Sequence, residues 1–302
     1  MKKLMFEESR ANKIKSVILM TLFIIIIGVL GGVAGFVWGN IYFGLGLALI
    51  ISFIYSLIGF YSGGRMILSM SGAKPVTKKE YPYLYHTLEG LTLAAGLKNT
   101  PKAYVIDDTA MNAFATGRDP EHASITVTTG LLKAMNRQEL EGVIAHEMSH
   151  IKNYDIRFMM LTAILVGVVT LLSDFLLRSF LWGGKGKSDS KGGGNVTIIL
   201  IVVGLVFAIL APIIGELIKL SISRKREFLA DSDGAMLTRY PPGLASALKK
   251  ISKDPDPLVD KANKATAHLF ISTPFRSTKS LTAKMFSTHP PIEERIKRLE
   301  SM

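Results

Sequence analysis

The chain contains no cysteine among its 302 residues. That excludes a disulfide framework, a thiolate metal site and a cysteine nucleophile. Histidine is scarce too, with six in the whole chain, so imidazole chemistry must sit at a few positions. Acidic residues are outnumbered, 24 against 36 lysines and arginines, for a net charge of +12. This excess does not indicate a nucleic-acid partner. No aromatic-interleaved basic stripe and no nucleic-acid motif accompanies it. The cations instead flank apolar runs, where membrane topology places them.

Apolar sequence is what the chain has in quantity. Its hydrophobic fraction is 48% and its mean hydropathy +0.32. The excess is gathered into four runs: Val17–Val37, Ile41–Tyr61, Phe158–Leu177 and Val196–Gly215. A helix rising about 1.5 Å per residue needs about 20 such residues to cross a hydrocarbon core of roughly 30 Å. Four transmembrane helices are therefore expected, with the lipid bilayer as a partner. Only Trp38, Gly39 and Asn40 separate the first two runs, which makes them a hairpin. A cleaved signal peptide fits less well, because the first run is too long and no small-residue cleavage site precedes polar sequence. The third run carries Asp174 and Arg178 near its end, so a shallow or re-entrant segment is an alternative there. Between the third and fourth runs lies a Gly/Ser/Lys loop, Gly183–Gly194.

Lys2, Lys3, Arg10, Lys13 and Lys15 precede the first run; Arg65, Lys74, Lys78 and Lys79 follow the second; Lys219 and Arg224–Arg226 follow the fourth. The positive-inside rule puts these segments in the cytoplasm and the Gly183–Gly194 loop outside, despite its three lysines. The expected location is the cell inner or plasma membrane, multi-pass. Four regions follow: residues 1–62 with the hairpin, 63–157 as the first part of a cytoplasmic domain, 158–220 as the second pair of spans, and 221–302 as the domain's second part.

Within the polar regions, leucines at helical spacing predict a helix over Glu80–Gly96. Short strands are expected at Ala103–Ile106, Asn112–Thr116 and Ser124–Thr128. Asn136 with Glu139 three residues on has the pattern of a capping box. The helix it opens carries His146-Glu147-Met148-Ser149-His150. On a helix, positions four apart share a face, so His146 and His150 can hold one Zn²⁺. Glu147 beside them can take the proton of the attacking water. A catalytic zinc needs a third protein ligand, and Glu227 is the best candidate. Asp231 lies four residues further along the same helix, placed to accept the spare N–H of a ligand histidine, His146. The plain alternative for that stretch is a charged helix face pairing with Arg224 and Lys225. A final helix is expected over Ile292–Glu300, with Ile292, Ile296 and Leu299 as its apolar stripe.

These motifs occur together and in order: a hydrophobic hairpin, N-A-F-A-T-G at Asn112–Gly117, H-E-M-S-H at His146–His150, R-x-x-E-x-x-A-D at Arg224–Asp231 and T-H-P-P at Thr288–Pro291. Over nearly its whole length the chain resembles the HtpX family of membrane zinc metalloproteases, relatives of the CAAX-prenyl endopeptidases. The resemblance implies an α+β gluzincin-type catalytic domain on an α-helical membrane anchor, with one Zn²⁺ per chain. It places Arg224 and Asp231 around the metal ligands. It makes Asn112, Ala113, Phe114 and Ala115 an edge strand for an extended peptide, although Phe114 also reads as a core residue. His289 is either an oxyanion donor or a plain helix N-terminal residue. The substrates implied are polypeptides, misfolded membrane proteins among them. A substrate-specific processing peptidase is the neighbouring alternative. A metal transporter or sensor would need ionisable groups inside the spans, and the first, second and fourth runs have none.

Overall fold

The structure is a computed structural model that describes residues 2–37, 39–183, 224–254, 269, 271 and 290–302. The fourth apolar run, residues 184–194 of the loop, His268 and His289 lie outside the described residues.

Helix α1 (Lys2–Val37) and helix α2 (Ile41–Met70) form the expected hairpin. Gly39 turns the chain at φ 87°, and the Asn40 side chain caps α2 by accepting from the Phe43 amide at 3.0 Å. Glycines let the two backbones nearly touch. A Cβ on Gly44 would stand 2.3 Å from the Gly31 carbonyl oxygen and 2.5 Å from the Gly35 Cα. Small residues four apart serve this purpose in lipid, where packing replaces the hydrophobic drive. Stretches Glu7–Phe36 and Ile41–Met70 are long and apolar enough to cross a membrane. Only 22% and 17% of their most apolar windows are buried, so these are not core helices of a soluble protein. Ile50, Phe53 and Ile54 stand at least half exposed, a surface suited to acyl chains.

The polar domain contains a four-stranded mixed sheet. Its strands are β1 (Lys74–Pro75), β2 (Lys102–Ile106), β3 (Ala113–Gly117) and β4 (Ala123–Thr128), in the order β1-β2-β4-β3. Strand β2 runs parallel to β4, and β3 pairs antiparallel with β4. Strand β3 is thus an edge. Alternation along the strands separates two cores. Ala103, Val105, Ala113, Ala115, Ile125 and Val127 pack into the core of the catalytic helices. Ile106 and Phe114 turn to a second cluster shared with the membrane helices.

Helix α3 (Pro82–Ala95) ends at Gly96 in the left-handed conformation, φ 68°. A short helix α4 (Thr129–Ala134) precedes α5 (Arg137–Lys152), which opens with the expected Asn136–Glu139 capping box. Tyr154 turns the chain through φ 59° into α6 (Asp155–Gly183). This helix takes in the third apolar run and begins before it. Its first turns pack Phe158, Met160, Leu161 and Ile164 against Leu19 and Phe23 of α1 and Ile67 of α2. Helices α7 (Arg224–Thr238), α8 (Pro241–Ser252) and α9 (Ile292–Glu300) complete the catalytic core. Leu244, Leu248 and Leu299 join Val143, Ile144 and Met148 of α5 in one cluster. Residues on either side of the undescribed stretch therefore share a single core.

Candidate active site

Helix α5 is buried throughout its second half, from Gly142 to Ile151. Its buried face carries His146, Glu147 and His150 among Val143, Ile144 and Met148. Polar groups sunk this deep must be paired. Helix α7 supplies the partners. It lies against α5 at Gly234, where an added Cβ would meet the His146 backbone nitrogen at 3.0 Å. That contact brings Glu227 and Asp231, both buried, to the histidines. Ser149 donates to Asp233 of α7 at 3.0 Å and fastens the same two helices.

The two Nε2 atoms of His146 and His150 stand 3.2 Å apart. Glu227 places one carboxylate oxygen 3.8 Å from His146 Nε2 and the other 3.4 Å from His150 Nε2. Donors about 2.0–2.1 Å from zinc at the tetrahedral angle stand roughly 3.3 Å from one another. The three side chains match that spacing and are the one group of metal-ligating type among the described residues. The imidazoles leave the Nε2 atoms for the metal because each Nδ1 is engaged elsewhere. His146 Nδ1 lies 3.0 Å from Asp231 Oδ1, and His150 Nδ1 lies 2.9 Å from Asp155 Oδ2. Carboxylates in this position fix the tautomer and raise ligand basicity. The site fits a zinc ion of the His-His-Glu kind.

Burial would push the Asp231 carboxyl up, but Arg295 and the His146 imidazole overcome it and hold it down to about 2. Arg295 grips Asp231 with two bonds, Nε to Oδ2 at 2.9 Å and Nη2 to Oδ1 at 2.7 Å. Its Nη1 is 3.6 Å from Glu227, and its own pKa is raised further by these acids. For His150, burial opposes the charged form, but Asp155 and Glu227 outweigh it and raise its pKa well above the ordinary value. A metal cation satisfies the same field. Glu147 is pushed up by burial, against the pull of His146 and His150. The Ala115 backbone also pulls its pKa down, so the helix and the edge strand meet at Glu147.

The edge itself is organised by register. Thr128 N–H donates to Asn112 at 3.0 Å, and Phe114 stands opposite Thr126. Antiparallel geometry then turns the backbone N–H and C=O of Phe114 and Thr116 toward β4 and those of Ala113, Ala115 and Gly117 outward. Asn112 is engaged at the strand start, its backbone N–H donating to Thr128 Oγ1 at 3.0 Å. Phe114 is a core residue. The chain's own Ile271 amide donates to the outward Ala113 carbonyl at 3.0 Å.

Arg224 does not reach the ligands. It is exposed at the start of α7, and Arg226, two positions on, turns inward instead. A helix rotates about 100° per residue, so a two-residue step reverses the face. Arg226 lies 3.5 Å from Asp155 and donates to Asn12 at 3.0 Å. The site residues absent from the sequence reading are Asp155, Arg226, Arg295 and Asn12. Arg295 had a signal. It sits at i+3 from Ile292 and i−4 from Leu299, inside the apolar stripe, where a cation demands a buried acid. His86 and His122 are more than half exposed and are plain surface residues.

A glutamate-backed His-His-Glu centre, on a helix beside an edge strand and below a membrane hairpin, defines a membrane-bound metalloprotease. The sequence model of peptidase family M48 matches residues 78–302. The chain is 48% identical over 266 residues to the protease HtpX homolog of Dictyoglomus turgidum, covering 86% of this chain and 84% of that one. It is 45% identical to the protease HtpX homolog of Caldanaerobacter subterraneus subsp. tengcongensis, over 100% of this chain and 99% of its relative. The crystal structure of S. mikatae Ste24p aligns with a TM-score of 0.47 and 17% identity, over 97% of this chain and 66% of that one. The chain belongs to peptidase family M48 and, within it, to the HtpX proteases.

Proposed function

We propose that the protein is a zinc endopeptidase that binds one Zn²⁺ through His146, His150 and Glu227 and cleaves polypeptides at the cytoplasmic face of a cell membrane. The observation that carries the reading is the matched spacing of the three donors, with each imidazole turned by its own carboxylate. Bound there, zinc supplies Lewis acidity to the scissile carbonyl and acidifies water. Glu147 takes the proton of the attacking water and returns it to the leaving amine; a carboxyl with a raised pKa suits both transfers. Asp231 and Asp155 hold the imidazoles in the tautomer that binds metal. An extended substrate pairs with the edge of β3 by taking the place of Ile271 at the Ala113 carbonyl, which registers its backbone over the metal. Misfolded membrane proteins are the substrate class we favour, because the site is built onto membrane helices.

The test is degradation of casein and of a destabilised membrane protein by the purified enzyme, with and without chelator. The expected preparation carries about one zinc per chain. Glu147→Gln keeps the zinc and loses cleavage; His150→Ala loses both. Full activity in metal-free protein would sink the zinc reading, and wild-type turnover in Glu147→Gln would sink the assigned base.

A further inference from the structure

We propose that Asn12, on the membrane helix α1, is a positioning residue of the metal site: it fixes the Asp155 carboxylate that orients His150. This rests on the zinc reading above and extends it to the membrane anchor.

Asn12 is fully buried, although it sits in a basic stretch between Arg10 and Lys13. A buried amide is costly unless its groups are paired. Here both N–H bonds are used, one to the Asn153 carbonyl at 3.0 Å and one to Asp155 Oδ1 at 2.6 Å. The amide oxygen accepts from Arg226 Nη1 at 3.0 Å. The reverse amide orientation would face N–H against a guanidinium and oxygen against oxygen, so the network permits one placement. Three elements meet at this side chain: α1, the α5–α6 turn and α7.

The Asp155 carboxylate is divided between two tasks. Oδ2 holds His150 Nδ1 at 2.9 Å. Oδ1 is held by Asn12, with Arg226 further off at 3.5 Å. Without Asn12 its nearest donor is gone and the carboxylate can turn toward Arg226. The His150 ring then loses its fixed partner. The turn that carries Asp155 depends on Asn12 as well, because Tyr154 is in the left-handed region at φ 59° and the preceding carbonyl is the Asn12 acceptor. The other ligand has the same construction: His146 is oriented by Asp231, and Asp231 is fixed by Arg295. Each histidine has its carboxylate, and each carboxylate its own fixing donor. For His150 that donor comes from the membrane helix.

The experiment is a zinc competition titration in one detergent on the full chain. The variants are Asn12→Ala, the near-isosteric Asn12→Leu, Asp155→Asn, the Asn12→Ala/Asp155→Asn double, and Ser16→Ala. Ser16 is one turn along α1, is buried, and among the described residues donates to the Asn12 carbonyl of its own helix. Both Asn12 variants should bind zinc about 10-fold more weakly, at the low end of the 10–100-fold range for outer partners. Ser16→Ala should match wild type. The double variant should be no weaker than Asp155→Asn alone, since both act through one carboxylate. With cobalt in place of zinc, the absorption bands of the tetrahedral ion should shift in the Asn12 variants and not in Ser16→Ala. Wild-type zinc affinity in both Asn12 variants would overturn the inference, as would additive losses in the double. A loss matched by falling helix content in the zinc-free protein would overturn it too, because Asn12 would then hold the fold and not the ligand. A wild-type chain that binds no zinc would remove the zinc reading itself, a result distinct from zinc binding that is indifferent to Asn12.

Discussion

At Asp231 two donors converge on one carboxylate, the Arg295 guanidinium and the His146 imidazole. An exposed helical aspartate contributes about 0–1 kcal/mol through its pairs, whereas an outer partner of a metal ligand is worth roughly 10–100-fold in affinity. Asp231→Asn should therefore weaken zinc binding by roughly 10–100-fold, read by competition titration against wild type. Equal affinities would return Asp231 to a surface role. Arg295→Met keeps much of the apolar stem but strips two buried carboxylates of their cation. Breaking a buried pair from one side costs about 3–5 kcal/mol, and the loss should appear as a lower denaturant midpoint in the zinc-free protein. The sign of the acid response also follows. The folded pKa of Asp231 is about 2, below the ordinary value of about 3.9. Its contribution to stability is complete above about pH 4 and is lost as pH falls through about 2. Acid melting of wild type should steepen in that window, and Asp231→Asn should lack that portion. His146, Glu147, His150, Glu227 and Asp231 were legible because each lies at a helical interval from another, and one periodicity locates all five. Asp155 and Asn12 were not. They reach the site across a left-handed turn and a helix packing, which no local spacing encodes.

The elements show the same division. Helix α5 announced itself by its capping box and α9 by its apolar stripe, and both occur where expected. Helix α8 was not assigned from the sequence although Leu244, Leu248 and Ile251 are spaced for burial behind Pro241 and Pro242. Proline at the first helical positions starts a helix as readily as it stops one. The two-residue strand β1 has too little sequence to carry a period. The contact between α5 and α7 rests on Gly234, whose hydrogen faces the His146 backbone. Gly234→Val should force the helices apart and move Glu227 and Asp231 away from His146 together. We expect overpacking of about 1–3 kcal/mol, with zinc affinity lost more steeply than in Asp231→Asn alone. Normal zinc binding in Gly234→Val would show that the helices can yield there without cost.

For the whole molecule, the hairpin α1–α2 and the catalytic core form one body with a shared second core around Phe23, Ile67 and Phe158. The proposed cytoplasmic placement of the core has a direct test. A cysteine introduced at exposed Ser252, next to the catalytic core, should resist an impermeant thiol reagent in intact cells, and one at Ser188 should react; the chain has no cysteine of its own to confuse the result. The opposite pattern would invert the orientation. Helix α1 is unbroken from its basic start to Val37. Asn12 and Val17, the first residue of the apolar run, are therefore a fixed distance of about 8 Å apart along one axis. Since Asn12 touches the residue that orients His150, the helix sets the distance between the apolar run and the proposed metal site. On that proposal a peptide bond is cut only at this height. Cleavage sites in a membrane-anchored substrate should accordingly cluster at one distance from its own span. Lengthening the tether between span and site by a few flexible residues should move the cut by the same number.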